Sequence, residues 1–279
     1  MTSRILSLLF VLLLTLTGLG QNRVLATSQG YELTTQDLQP VVQLLSFLIQ
    51  GELTPQEIRS LQQEAVIEFR SGPVELMQSF AEIRAAVQTV VSKNDPLILG
   101  DFRQQLIGEF YKTSQSDPQQ ASAFLRILNQ RAPVVAYDAH TGVALTQQDL
   151  VACLGYLRQL SVEDGDQVSD QDVMDAAKQV ITGFSKIDPE TQKMLASGTI
   201  LVSLYDSNIQ KLSSQQKTQL TSHYRQTVGG PPTAIRTRGP EPSAFDKLSR
   251  SGLENHAVMM KSLEDVGGST QYWSAVKKP

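Results

Sequence analysis

The segment Leu33-Thr34-Thr35-Gln36-Asp37-Leu38 returns as Leu145-Thr146-Gln147-Gln148-Asp149-Leu150, an offset of 145 − 33 = 112. A single match of this quality arises by chance about once in a Leu/Gln-rich chain of this length, so its neighbours decide what it means. Leu53-Thr54-Pro55-Gln56-Glu57-Ile58 recurs as Val168-Ser169-Asp170-Gln171-Asp172-Val173, with 168 − 53 = 115, and Phe69 and Phe184 share that offset. Pro73 matches Pro189, and Gln105-Leu106-x-x-x-Phe110 matches Gln219-Leu220-x-x-x-Tyr224. The pattern describes a degenerate duplication of roughly eighty residues, placed at 33–113 and 145–227 within a helical region 31–228.

Helical periodicity carries both halves, and the expected fold is all-α: a helical bundle of two repeats of about four helices each, followed by a flexible C-terminal tail. The first repeat opens with Thr34 or Thr35 as N-cap and an apolar stripe of Leu38, Val41, Val42, Leu45, Leu48 and Ile49 ending at Gly51. A second helix is signalled strongly. Thr54 caps it, Pro55 takes the first helical position where a missing N–H costs nothing, and Glu57 can bond back to the cap. Its stripe is Ile58, Leu61, Ala65, Val66 and Phe69, and the second half reproduces it as Val173, Ala176, Val180, Ile181 and Phe184. Where Leu61 becomes Ala176, Ala65 becomes Val180, a trade expected if both stripes fill one shared core at constant volume. Gly72-Pro73 starts a third helix, with Leu76, Phe80, Ile83, Val87 and Val90. A fourth follows Pro96 and carries Phe102, Leu106 and Phe110, and a fifth near 119–130 carries Phe124, Leu125 and Leu128. Residues 131–143 read as an extended connector with a turn between the halves. The segment Thr199–Tyr205 reads as helix because its counterpart is helical, and a last helix runs through Leu212, Leu220 and Tyr224.

Residues 1–26 read as a secretory signal peptide, with Arg4 ahead of an apolar run from Ile5 to Leu16. Small residues at Gly18-Leu19-Gly20 and at Val24-Leu25-Ala26 allow a mature N-terminus at Gln21 or Thr27. An apolar run of about twelve residues is short for a bilayer that needs about twenty, so membrane association requires that this segment be retained. The absence of any Asn-x-Ser/Thr acceptor tilts the setting toward a bacterial envelope, periplasmic or extracellular. A net charge of −4 removes the basic footprint of nucleic-acid binding, and one cysteine excludes both an intrachain disulfide and a Cys-based zinc site. Charged residues make up 19% of the chain, below the usual quarter, and about thirty glutamines take their place on the solvated faces.

Candidate chemistry is sparse. Glu163-Asp164-Gly165-Asp166 has clustered carboxylates, but the spacing of a calcium loop breaks at Gln167 and Val168, so the segment reads as an acidic turn before a helix capped by Ser169. His140, His223 and His256 lie far apart and outside any metalloprotease pair, and no Gly-rich phosphate loop is present. Cys153 aligns with Val41 and reads as a buried small hydrophobe. Glu109 and His223 occupy near-equivalent positions in the fourth helices and would meet only across a pseudo-two-fold axis. No catalytic residue, metal ligand or cofactor is assigned.

Beyond Val228 the composition changes to a Pro/Gly linker and tail, 229–279, in which Leu253, Ala257, Met260 and Leu263 share a face. The sole tryptophan follows in Tyr272-Trp273 on a Gly/Ser-rich arm, and aromatics dominate small interfaces. Tyr272, Trp273, Met260 and Leu263 are therefore the expected partner-binding residues, with another protein as partner. The reading is an exported, non-enzymatic interaction or structural module. The alternatives are a hydrolase with a carboxylate site between the repeats and a membrane-anchored envelope protein.

Overall fold

A computed structural model of the chain describes residues 22–93, 96–116, 121–163 and 168–220. The protein is predominantly helical, with two short β-hairpins that the helical periodicity did not announce. It divides into two compact units at Pro133/Val134.

The first unit opens with strands β1 (Val24–Ser28) and β2 (Tyr31–Thr34), paired antiparallel. The loop between them is Gln29-Gly30, and both residues have positive φ, +50° and +83°. That is the mirror-image turn whose twist matches a two-residue hairpin, and glycine is what makes the second position inexpensive. Helices α1 (Gln39–Ile49), α2 (Pro55–Ser71), α3 (Pro73–Lys93), α4 (Pro96–Ser116) and α5 (Ala123–Arg131) follow. The core gathers Leu33, Leu38, Val41, Ala65, Phe69 and Phe80, with Leu25 and Ala26 of β1 packed against it. The strand thus contributes side chains to the helical core, and β1 lies along α2.

α1 begins three or four residues later than a cap at Thr35 or Thr34 would place it. Thr34 and Asp37 do bond, with the Thr34 N–H and hydroxyl both donating to Asp37 Oδ2 at 2.8 and 2.6 Å, but they close a turn ahead of the helix. Pro40 supplies the reason. A proline ring clashes with the carbonyl four residues back and is tolerated only in the first turn, so a helix containing Pro40 cannot begin as early as Gln36, and it begins at Gln39. Ala152 stands at the same offset in the second half (152 − 40 = 112), and there the helix starts directly after the strand.

α2 has the expected capping box. Thr54 Oγ1 accepts from Glu57 N–H at 3.2 Å, while the Glu57 carboxylate accepts from Thr54 N–H at 2.6 Å. α2 also holds both ends of α5: Glu64 accepts the Ala123 N–H, and Glu57, seven residues earlier on the same face, pairs with Arg131 at 3.0 Å. Burial pushes the Glu57 carboxyl up, but the Thr54 N–H and hydroxyl and the Arg131 guanidinium outweigh it and hold the group below its ordinary value. On α4 the buried positions include Leu99, Arg103, Gln104 and Ile107, while Phe102, Leu106 and Phe110 are only half-buried. The Arg103 Nε–H donates to Leu48 O at 3.0 Å, near the C-terminus of α1, where the helix dipole favours a cation.

The second unit also opens with a hairpin. Strand β3 (Val134–Tyr137) pairs with β4 (Ala144–Thr146), so the stretch expected as a connector is the first element of this unit. Val134, Val135 and Tyr137 are residues that suit a pleated, half-buried surface, and the turn 138–143 returns the chain to its partner strand. Helix α6 (Gln147–Glu163) follows, then α7 (Asp170–Gly183), a short 3₁₀ turn (Phe184–Lys186), α8 (Pro189–Ala196) and α9 (Gly198–Lys211). The expected helix at Thr199–Tyr205 lies within α9, and residues 214–220 are helical. α7 carries the Ser169–Asp172 capping box, and Leu145, Leu150, Cys153, Leu157, Ala176, Val180 and Phe184 form the core.

One expectation about the stripes needs correction: Ile181 is 38% exposed because it points away from the α6 side of α7. Ala65 and Phe69 belong to the first unit's cluster, and Ala176, Val180 and Phe184 to the second's. Phe69 and Phe184 are both fully buried, at 0% and 2% exposure.

Candidate functional site

Buried polar side chains in a helical protein need partners, so the cluster where they converge is the first place to look for chemistry. In the second unit that cluster lies at the hairpin and the N-termini of α6 and α9. Thr146 ends β4, and Asp149 stands in the first turn of α6; neither is exposed. The Thr146 hydroxyl donates to Asp149 Oδ2 at 2.5 Å and accepts the Asp149 N–H at 3.1 Å. The other carboxylate oxygen, Oδ1, accepts the Thr199 hydroxyl at 2.6 Å and the Thr199 N–H at 3.2 Å. Two helix N-termini thus share one buried carboxylate, which suits the positive end of each dipole and satisfies an otherwise orphaned N–H of α9.

This arrangement also explains a difference between the halves. The first half has a single long helix, α3, after Gly72, whereas at the same offset (189 − 73 = 116) the second half has two, α8 and α9. The break falls at Ser197, and α9 opens with Gly198-Thr199, where the first half carries Glu82-Ile83 (198 − 82 = 116). Gly198 lets the backbone of α9 approach that of α6, and Thr199 supplies the donors that Asp149 accepts.

A second polar group ties the hairpin turn to α8. Asp138 is 7% exposed and accepts the Gln192 amide N–H at 2.9 Å and the His140 backbone N–H at 2.9 Å. Gln192, 1% exposed, also donates to Phe184 O at 2.7 Å and accepts the Thr141 hydroxyl at 2.9 Å. The Gln192 bond, followed by the His140 N–H, holds the Asp138 carboxyl below its ordinary value against a smaller opposing effect of burial. Gly142, at φ +73°, closes the turn with its N–H on Asp138 O.

The arrangement is a lock. Each of the four carboxylate oxygens of Asp138 and Asp149 accepts a bond from within the unit, so both groups hold the hairpin turn and the helix N-termini in place. Cys153, one turn beyond Asp149 on α6, is 4% exposed, and burial, aided by the Asp149 charge, pushes its thiol up to about 12. A raised thiol disfavours the thiolate that a nucleophile needs, and Cys153 is buried, as its position indicated.

Of the other singled-out residues, His140 lies exposed in the hairpin turn and Glu109 on the exposed side of α4. His223, His256, the acidic residues Asp164 to Asp166, and the partner-binding candidates Tyr272, Trp273, Met260 and Leu263 lie outside the described residues. Among the described residues no group of three or more His, Cys, Asp or Glu side chains is placed to hold a metal ion, and no helix is long and apolar enough to cross a membrane. Sequence reasoning missed Asp138, Gln192 and Thr199. Only Asp149 had a signal, because it stands in the repeated hexapeptide. No family model matches the chain, and no curated protein or solved structure matches it either.

Proposed function

We propose that the chain is an exported protein made of two degenerate copies of one hairpin-plus-helices unit, which acts through contacts with another protein. The observation that carries the duplication is the pair of hairpins. Val24 stands opposite Thr34 and Ala26 opposite Leu33; Val134 stands opposite Thr146 and Ala136 opposite Leu145, and each first strand has its irregularity at the single intervening residue, Leu25 or Val135. Such bulges are specific local devices, so their coincidence beside the repeated Thr-x-x-Asp supports common descent of the halves. A boxed helix and a buried phenylalanine follow in the same order in both.

Export is supported by Arg4 and the apolar run from Ile5 to Leu16. A role in protein contacts is supported by Tyr272 and Trp273 on the Gly/Ser-rich arm, with Met260 and Leu263 on one face of the preceding stretch. The engagement of Asp138 and Asp149 in fold-fixing bonds favours this reading over a carboxylate hydrolase. The test is a photo-crosslinking residue at Trp273 in the full chain, in its cell of origin. A discrete adduct outside the cytosol, lost on Met260→Ser with Leu263→Ser, is expected; a cytosolic chain without adduct would overturn the proposal.

A further inference from the structure

The leader offers two bonds to a signal peptidase, Gly20–Gln21 and Ala26–Thr27, and the first hairpin distinguishes them. We infer that processing occurs at Gly20–Gln21, an inference that rests on the export reading above. Water adds across that peptide bond, leaving the Gly20 carboxylate on the leader and a free α-amino group on Gln21 of the product.

The alternative cut falls inside β1. It would remove Val24, Leu25 and Ala26, three of the five residues of a strand whose partner β2 cannot form a ladder alone. It would strip Leu25 and Ala26 from the core around Leu33, Leu38 and Phe69, and would bare Leu33, which is fully buried. It would also remove Arg23, whose N–H donates to Thr35 Oγ1 at 3.1 Å and whose carbonyl accepts the Thr35 N–H at 2.9 Å. Thr35 is itself buried, so these two bonds have no water to replace them at once. A cut after Gly20 leaves Arg23 and all of β1 in place. The second unit keeps the matching strand β3, so the product of this cut has both hairpins complete.

The test is to export the full chain from a bacterium and read its N-terminus by intact mass and peptide sequencing. A product of residues 21–279, or that mass less ammonia where the terminal glutamine has cyclised, is expected, and Ala26→Arg should leave it unchanged. Gly20→Arg should block processing without yielding a Thr27 terminus. A product beginning at Thr27 would overturn the inference and leave export standing, whereas an intact Met1 would overturn the export reading itself. In a second measurement, residues 27–279 should melt at least about ten degrees below residues 21–279 or fail to fold, as loss of several core contacts implies. Equal melting midpoints would overturn the argument from β1.

Discussion

A Cβ placed on Gly198 would stand 2.1 Å from the carbonyl oxygen of Asp149 and 3.0 Å from Cβ of Cys153. The nearest obstacle is backbone at the start of α6, so neither helix can yield without moving the other. Gly198→Ala should therefore cost about 3 kcal/mol, the upper range for overpacking. Gly155, on the exposed side of α6 with nothing within 4 Å of an added Cβ, is the control. Its replacement by Ala should stabilise by about 0.5 to 1 kcal/mol, since a helical glycine is entropically unfavourable. Urea unfolding of the two variants should give shifts of opposite sign.

The Cys153 thiol, pushed up to about 12 and 4% exposed, should resist an aromatic disulfide reagent at pH 8. Its modification should track unfolding, becoming rapid in denaturant, because only the thiolate reacts. Rapid modification of the native chain would place Cys153 outside the core.

Stability should fall in acid. The carboxyls of Asp138, Asp175, Asp188 and Glu57 all titrate below their ordinary values in the folded chain. For Asp138 the cause is led by the Gln192 bond and for Asp175 by the Gln171 bond; for Asp188 the Thr191 bonds overcome burial. A depressed carboxyl contributes stability that is complete above its unfolded value, near 4, and is lost as the pH falls through its folded value. Glu68 runs the other way: burial, with Glu64 nearby, raises it, so its charge destabilises at neutral pH and is relieved on acidification. The melting temperature should thus decline below about pH 4, and Asp138→Asn should flatten that decline.

If the tail is an appendage, deleting residues 230–279 should leave the melting midpoint within a few degrees, because few core contacts cross a Pro/Gly linker. Trp273 emission in the free protein should be that of a ring in water. Blue-shifted emission, with a fall of about ten degrees on truncation, would make Trp273 a piece of the fold instead.

The helices were legible because each signal is local. Thr54-Pro55-x-Glu57 and Ser169-x-x-Asp172 carry their own caps, and the Phe69 and Phe184 stripes repeat at helical spacing. The hairpins were not, for two different reasons. Val24–Ser28 follows an apolar stretch whose small residues suit a cleavage site, so Val24 to Ala26 read as the end of a signal peptide. Val134–Tyr137 lacks a short turn signal, because its six-residue loop relies on the Asp138 carboxylate and on Gln192, 54 residues away. The polar lock was hidden for the same reason: Asp149 meets Thr199 across 50 residues, and no local pattern announces a partner at that distance. A start of α1 later than Gln36 was legible in principle, since Pro40 must fall in the first turn.

The central claim is that each half opens with a bulged hairpin closed onto its own helices, and amide hydrogen exchange on the full chain tests it most directly. The Thr35 N–H, bonded to Arg23 O at 2.9 Å, and the Asp138 N–H, bonded to Val143 O at 3.0 Å, report the two hairpins separately. Both should exchange far more slowly than an unstructured amide, and Thr35 should lose its protection when residues 21–26 are removed while Asp138 keeps its own. Exchange of Thr35 at the unstructured rate in the intact chain would contradict the account.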